Sequence, residues 1–182
     1  MSIPDASQTL MDEFGSEFDM QASVRSFTIA GLHELAKKLP APLPENPDPM
    51  IFIGEGDPNK DGTVPDGWWR QSQLVDAIDK VGWLNTWLSD AWITLIFARW
   101  ECHYRPEFAR LFDADLDQIV SPVMGDLRHM RHDIAHHRGM ASRDRTGTKC
   151  EIITRFRTGD RIVLTADDIR QLRNRLNVDC AS

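Results

Sequence analysis

The stretch RHMRHDIAHHRG, residues 128–139, holds four of the chain's six histidines and three of its arginines. Two chemistries use that composition. Imidazoles four residues apart share one face of a helix and can bind a metal ion, as H-x-x-x-H sites do. Alternatively, arginine offers fixed charge and paired planar donors to phosphate oxygens, while histidine titrates near neutrality and can move protons. A third reading needs no chemistry at all, only a solvated helix end rich in cations.

For a metal the natural pair is His132 and His136, with Asp133 where a zinc peptidase has its general-base glutamate. Asp133 is shorter than glutamate, and neither His33 nor His103 stands in a motif that would make it a third ligand. His129/Asp133 and Asp133/His137 also have i, i+4 spacing, which is common in any histidine-rich turn. A second metal-like string, DPNKDGT at residues 57–63, imitates the start of an EF-hand loop. Its ninth position is Pro65 and its twelfth is Trp68, so the bidentate glutamate that calcium needs is missing. The expectation is no bound metal and no other cofactor.

Charge distribution favours an anion. The chain carries a net −7, which argues against wholesale coating of nucleic acid. Residues 1–98 hold 6 Lys/Arg against 15 Asp/Glu, whereas residues 121–161 hold 9 against 5. The one basic region therefore coincides with the histidine-arginine stretch, as expected of an anion site on an acidic body. Three cysteines, far apart and without C-x-x-C, argue against a disulfide framework or cysteine zinc knuckle and for a reducing compartment. The acidic start lacks a basic segment followed by an apolar core, and no apolar run reaches membrane-spanning length. A soluble cytoplasmic protein with no membrane partner is expected.

The elements that must position this stretch are mainly helical. Residues 1–18 read as a flexible acidic arm, and residues 19–178 as one domain. Val24, Phe27, Leu32, Leu35 and Leu39 suggest a helix over residues 18–39, stopped by Pro40. Residues 40–70, rich in proline and glycine, read as a long loop with a short strand at 51–53. The 3.6-residue spacing of Leu74, Ile78, Val81, Leu88, Trp92, Leu95 and Ile96 predicts one helix over 72–99, with Trp83 and Trp87 opposite, as core or oligomer contacts. A short helix follows Pro106, over 107–112.

Ser121 and Pro122 open the next helix as N-cap and first helical residue. Val123, Leu127, Met130 and Ile134 are its buried stripe, and Gly139 ends it. CEIITRF and RIVLT around Thr158-Gly159-Asp160 predict a β-hairpin over 149–165. Thr165 and Asp168 form a capping-box signal for a final helix over 166–177. The predicted class is mainly α: a helical bundle with a small C-terminal β-hairpin and a terminal helix.

Arg131-His-Asp-Ile-Ala-His136 fits R-x4-H, late in an amphipathic helix, with a polar residue directly after the arginine. This resembles the signature of HEPN-domain proteins, compact bundles of about four or five helices, many of them ribonucleases. The resemblance is sharpest over residues 127–140, and the following segment is similar to a tail in some uncharacterised bacterial members. It implies a metal-independent endoribonuclease in which the 2′-hydroxyl attacks the adjacent phosphorus. It assigns proton transfer to His136, the phosphate to Arg131 and an orienting role to His132. Arg128 and Arg138 become RNA-backbone contacts, and His137, at R-x5-H spacing, the substitute for His136. RNA such as a tRNA loop is the implied partner, and a toxin–antitoxin or defence role, with an antitoxin, fits the family. On an ideal helix Arg131 and His136 point about 140° apart. Either the helix unwinds before Gly139 or a second chain completes the site, and HEPN ribonucleases are similar in requiring a homodimer. A noncatalytic HEPN-like module for RNA binding or dimerisation stays open, as does a metal-dependent hydrolase using His132 and His136.

Overall fold

The computed structural model describes residues 3–55, 57, 60, 64, 66–79 and 82–181. Most of the EF-hand-like string, with Pro65, and Val81 of the expected helical stripe lie outside the described residues. The fold is mainly helical with a few short strand pairs. Contacts divide the chain into two compact units, residues 1–26 with 86–182, and residues 27–85. Among the described residues, no helix is long and apolar enough to cross a membrane.

The first unit holds the main core. Helix α1 (Ile3–Lys37), of which residues 3–26 belong to this unit, begins where a flexible arm was expected. Phe14 and Phe18, one helical turn apart, are fully buried there. Phe14 packs on Tyr104 with ring centroids 4.3 Å apart, and Phe18 meets Trp92 edge-on at 5.0 Å. Glu17, between them, accepts from Arg99 Nε at 2.6 Å and from Tyr104 Oη at 2.7 Å. The arm's acidic composition hid a sparse apolar stripe, and burying two aromatic rings outweighs the cost of ordering it. The stripe expected over 18–39 is instead largely solvent-facing, with Val24, Phe27 and Leu35 exposed.

Helix α3 (Trp83–Arg99) continues through a π-helical turn (Trp100–Tyr104) into α4 (Arg105–Phe112). Ile93, Ile96, Trp100 and Phe108 join the core from this rod. Helix α5 (Pro122–His137) starts as the sequence predicts, with Ser121 at the N-cap and proline in the first turn. Val123, Met124, Leu127 and Met130 are buried, and Ile134 is half-buried. At the other end Arg138 takes the left-handed conformation at φ 55°, followed by Gly139 at φ 73°. The stop is therefore shared by an arginine and the glycine.

Residues 149–165 do not form the expected hairpin. After a short α6 (Thr146–Lys149) the chain runs as irregular loop, touching a strand-like partner only at the Met140–Arg161 bridge. The reason is a rival acceptor. Asp126 on α5, 1 % exposed, takes the backbone N–H groups of Glu151, Ile152 and Ile153 at 2.7–3.0 Å, so these donors are lost to any ladder. The loop still buries Ile153, Phe156, Ile162 and Leu164 in the core. Strands β3 (Ile119–Val120) and β4 (Asp179–Cys180) form a minimal antiparallel pair.

The capping box of α7 (Ala166–Asn174) is as the sequence predicts. Thr165 Oγ1 accepts from Asp168 N at 3.1 Å, and Asp168 Oδ2 accepts from Thr165 N at 2.6 Å. Thr165→Ala is expected to lower stability by about 1 kcal/mol. Urea unfolding measures this, and an unchanged midpoint would show that the cap contributes nothing.

The second unit, residues 27–85, contains β1 (Met50–Ile53) paired antiparallel with β2 (Gly67–Arg70), so the proline- and glycine-rich stretch carries its own hairpin. The helix expected over 72–99 is broken: α2 (Gln71–Ile78) ends before α3 begins at Trp83. Gly82 marks the break. A Cβ there would lie 2.3 Å from the Ala77 carbonyl oxygen, which only glycine avoids. Asn85 then donates to the carbonyls of Ile78 and Asp79 at 2.9 and 2.7 Å, capping the end of α2. The 3.6-residue pattern passes through this break because both pieces bury their apolar side: Leu74 and Ile78 in the second unit, Trp92 and Ile96 in the first.

Candidate phosphate-binding cleft

Four of the six sequence-predicted site residues border one cleft of about 490 Å³ in the first unit. Arg128, Arg131, His132 and His136 supply the α5 wall. The opposite wall comes from Phe97 on α3, Glu101 on the π-helical turn and Arg105 at the start of α4. His129 and Arg145 close the remaining side. The cleft volume falls in the range of small-ligand sites.

Helix α5 stays helical through His137, so of the two alternatives, unwinding before Gly139 or completion by a second chain, the first does not occur. Arg131 and His136 nevertheless line the same cleft. Arg131 lies over the Phe97 ring, its guanidinium carbon 5.3 Å from the centroid. The His132 and His136 rings stand 4.7 Å apart. His137 and Arg138 do not line the cleft. The Arg138 carbonyl accepts from Arg161 and its backbone turns the chain, while its side chain is exposed.

Four arginines against one carboxylate give the cleft a strongly positive field on an acidic molecule. Glu101 is itself paired with Arg105 at 3.1 Å. Sequence reading missed Arg105, Arg145 and His129. The first two sit outside the histidine-rich stretch, and nothing in their local pattern signals that the fold gathers them.

Two buried aspartates hold the cleft wall in place. Asp133, fully buried, accepts from Ser142 Oγ at 2.6 Å, Ser142 N at 2.9 Å and Thr146 N at 3.1 Å. With Asp126 gripping residues 151–153, it fixes both ends of the segment that carries α6 and Arg145. A visible signal existed: Asp126 and Asp133 are seven residues apart on the apolar stripe of α5, where a charge demands donors.

His132, Asp133 and His137 bring three ligand atoms within 4.8 Å of one another. This differs from the His132/His136 pair read from sequence. Both Asp133 oxygens already accept strong hydrogen bonds, so a metal would compete with Ser142 and Thr146 for them.

Burial, with Arg145 and Lys149 close by, holds the His129 imidazole below its ordinary 6.5. Burial alone would raise the Asp133 carboxyl, but the bonds from Ser142 and Thr146 outweigh it and hold the group below 3.8. A folded-state pKa below the unfolded one means that unfolding takes up protons, so stability rises with pH. The His129 contribution is complete above about 6.5 and lost as pH falls through its folded value. The Asp133 contribution is lost in the same way below 3.8. Urea midpoints are expected to fall on acidification from pH 7, with His129→Gln flattening the upper stage. A midpoint that rises on acidification would contradict both assignments.

Comparison with protein-family models, curated proteins and solved structures returns no match for this chain.

Proposed function

We propose that this chain is a metal-independent endoribonuclease of HEPN type. The observation that carries the reading is that Arg131 and His136 border one cationic cleft together with Arg128 and His132. In this reaction the 2′-hydroxyl gives its proton to His136 while its oxygen bonds to the adjacent phosphorus. The bond from phosphorus to the 5′-oxygen breaks, and that oxygen takes a proton from an imidazolium or water. The products are a 2′,3′-cyclic phosphate and a 5′-hydroxyl. Arg131 meets the charge that develops on the phosphorane, where a fixed guanidinium needs no reorganisation. His132, whose ring lies 4.7 Å from that of His136, orients it.

The reading carries a homodimer, as the resemblance implies, and Trp87, 60 % exposed, is apolar surface that a second copy would cover. An antitoxin partner would act by blocking the cleft. A single-stranded target such as a tRNA loop suits the acidic body better than a long duplex.

Purified protein is incubated with total tRNA and mixed single-stranded RNA in excess EDTA. Cleavage that leaves 2′,3′-cyclic phosphate ends is the expected result. Intact RNA after incubation with folded, dimeric protein would sink the reading. The grouping of His132, Asp133 and His137 favours one competitor, a metal-dependent hydrolase. That protein would retain metal through purification and lose activity in the same EDTA.

A further inference from the structure

Beside the cleft lies a smaller recess of about 140 Å³, and the two share Phe97, Glu101, Arg105 and Arg128 as a common wall. The recess continues along α5 toward its N-terminus, past Met124 and Gly125 to Ser121. Its floor is apolar, with Trp100, Ile119 and Met124 each at most 3 % exposed. Two polar groups there lack partners. Ser121 is 7 % exposed and its Oγ makes no hydrogen bond, and Arg105 Nε is buried without an acceptor. Buried donors left unsatisfied carry a real cost and mark places where a ligand oxygen would be welcome.

We infer that Arg105 and Arg128 form a second phosphate subsite and that the Ser121 recess takes the base of the attached nucleoside, with the sugar at its mouth. The ligand is a single strand engaged through two consecutive phosphodiesters, one at Arg131 and one at the shared wall. An apolar floor with a hydroxyl at its edge suits a base and sugar, and two guanidiniums at its mouth suit the linking phosphate. A duplex cannot place one base in such a recess without unstacking it. This inference rests on the cleft being the RNA-binding cleft, and it is tested by binding, separately from cleavage.

The probes are two all-deoxy oligomers that cannot be cleaved: a dinucleoside monophosphate and a trinucleoside diphosphate. Affinity of the full chain for each is measured at 50 and 200 mM salt. Each phosphate engaged on a single strand contributes a slope of about 0.7, so affinity is expected to fall about 2.6-fold for the first probe and about 7-fold for the second. Arg105→Gln is expected to bring the longer probe's salt dependence down to about 2.6-fold, the value of a single engaged phosphate. Arg105→Lys keeps the charge and is expected to retain the 7-fold dependence, which separates lost charge from misfolding. Equal salt dependence for both probes, or no change in Arg105→Gln, would overturn the second subsite. Two-phosphate binding by a protein that leaves RNA uncut would support the subsite and remove the cleavage chemistry instead.

Discussion

Arg131→Ala and His136→Ala are each expected to slow RNA cleavage by at least about two orders of magnitude while leaving the fold intact. The size for His136 is that of losing one positioned proton-transfer group, about 10²- to 10⁴-fold. For Arg131 it is that of losing a preorganised donor to developing charge, about 10²- to 10³-fold. Both side chains stand at the cleft surface, Arg131 over Phe97 and His136 beside His132, so their removal opens no core cavity. The loss should fall on kcat more than on KM, because both groups act most strongly in the transition state. His137→Ala is the internal control. It lies on the same turn of α5 but outside the cleft, and cleavage should persist. A parent-like rate in either of the first two variants, or equal losses in all three, would move the chemistry away from this site.

Asp126→Ala is expected to be among the most destabilising single changes in the chain, lowering unfolding free energy by about 3–5 kcal/mol. Its carboxylate is 1 % exposed and serves three consecutive backbone donors, at Glu151, Ile152 and Ile153. Alanine would leave those N–H groups buried without acceptors, each costing about 1–3 kcal/mol before relaxation. The consequence reaches the cleft, because that loop and the Asp133 anchor hold α6 between them, and with it Arg145. Weaker RNA binding should accompany the lost stability. Denaturant unfolding of Asp126→Ala beside Asp126→Asn checks this. Asparagine keeps one acceptor oxygen and should lose less. A cost below about 1 kcal/mol for alanine would mean that water replaces the carboxylate and that the anchor is not structural.

The local elements were legible where neighbouring residues decide them. Ser121 and Pro122 open α5, Thr165 and Asp168 cap α7, and the short apolar run at 51–53 forms a strand. Each depends on a turn or less of chain, so propensity and hydrogen bonding act within one window. The stretch of residues 128–139 was legible in part: Arg128, His132 and His136 recur every four residues on one helix face, and with Arg131 they line one cleft. The failures came where distant residues compete. An acidic arm became helix because Phe14 and Phe18 find Tyr104 and Trp92, some ninety and seventy residues away. A hairpin signal over 149–165 was overridden because Asp126 takes its backbone donors.

The sequence by itself determined that the chain is mainly helical and that its basic residues concentrate in one segment. Only the tertiary structure decided which cations meet there. It brings Arg105 from α4 and Arg145 from the start of α6 to the cleft that the α5 arginines line, while His137 and Arg138 are not among its lining residues. Periodicity is a property of one helix, whereas a cleft belongs to the helices packed around it. Their approach is set by core side chains and by the buried Asp126 and Asp133, whose partners lie 9 to 27 residues further along the chain.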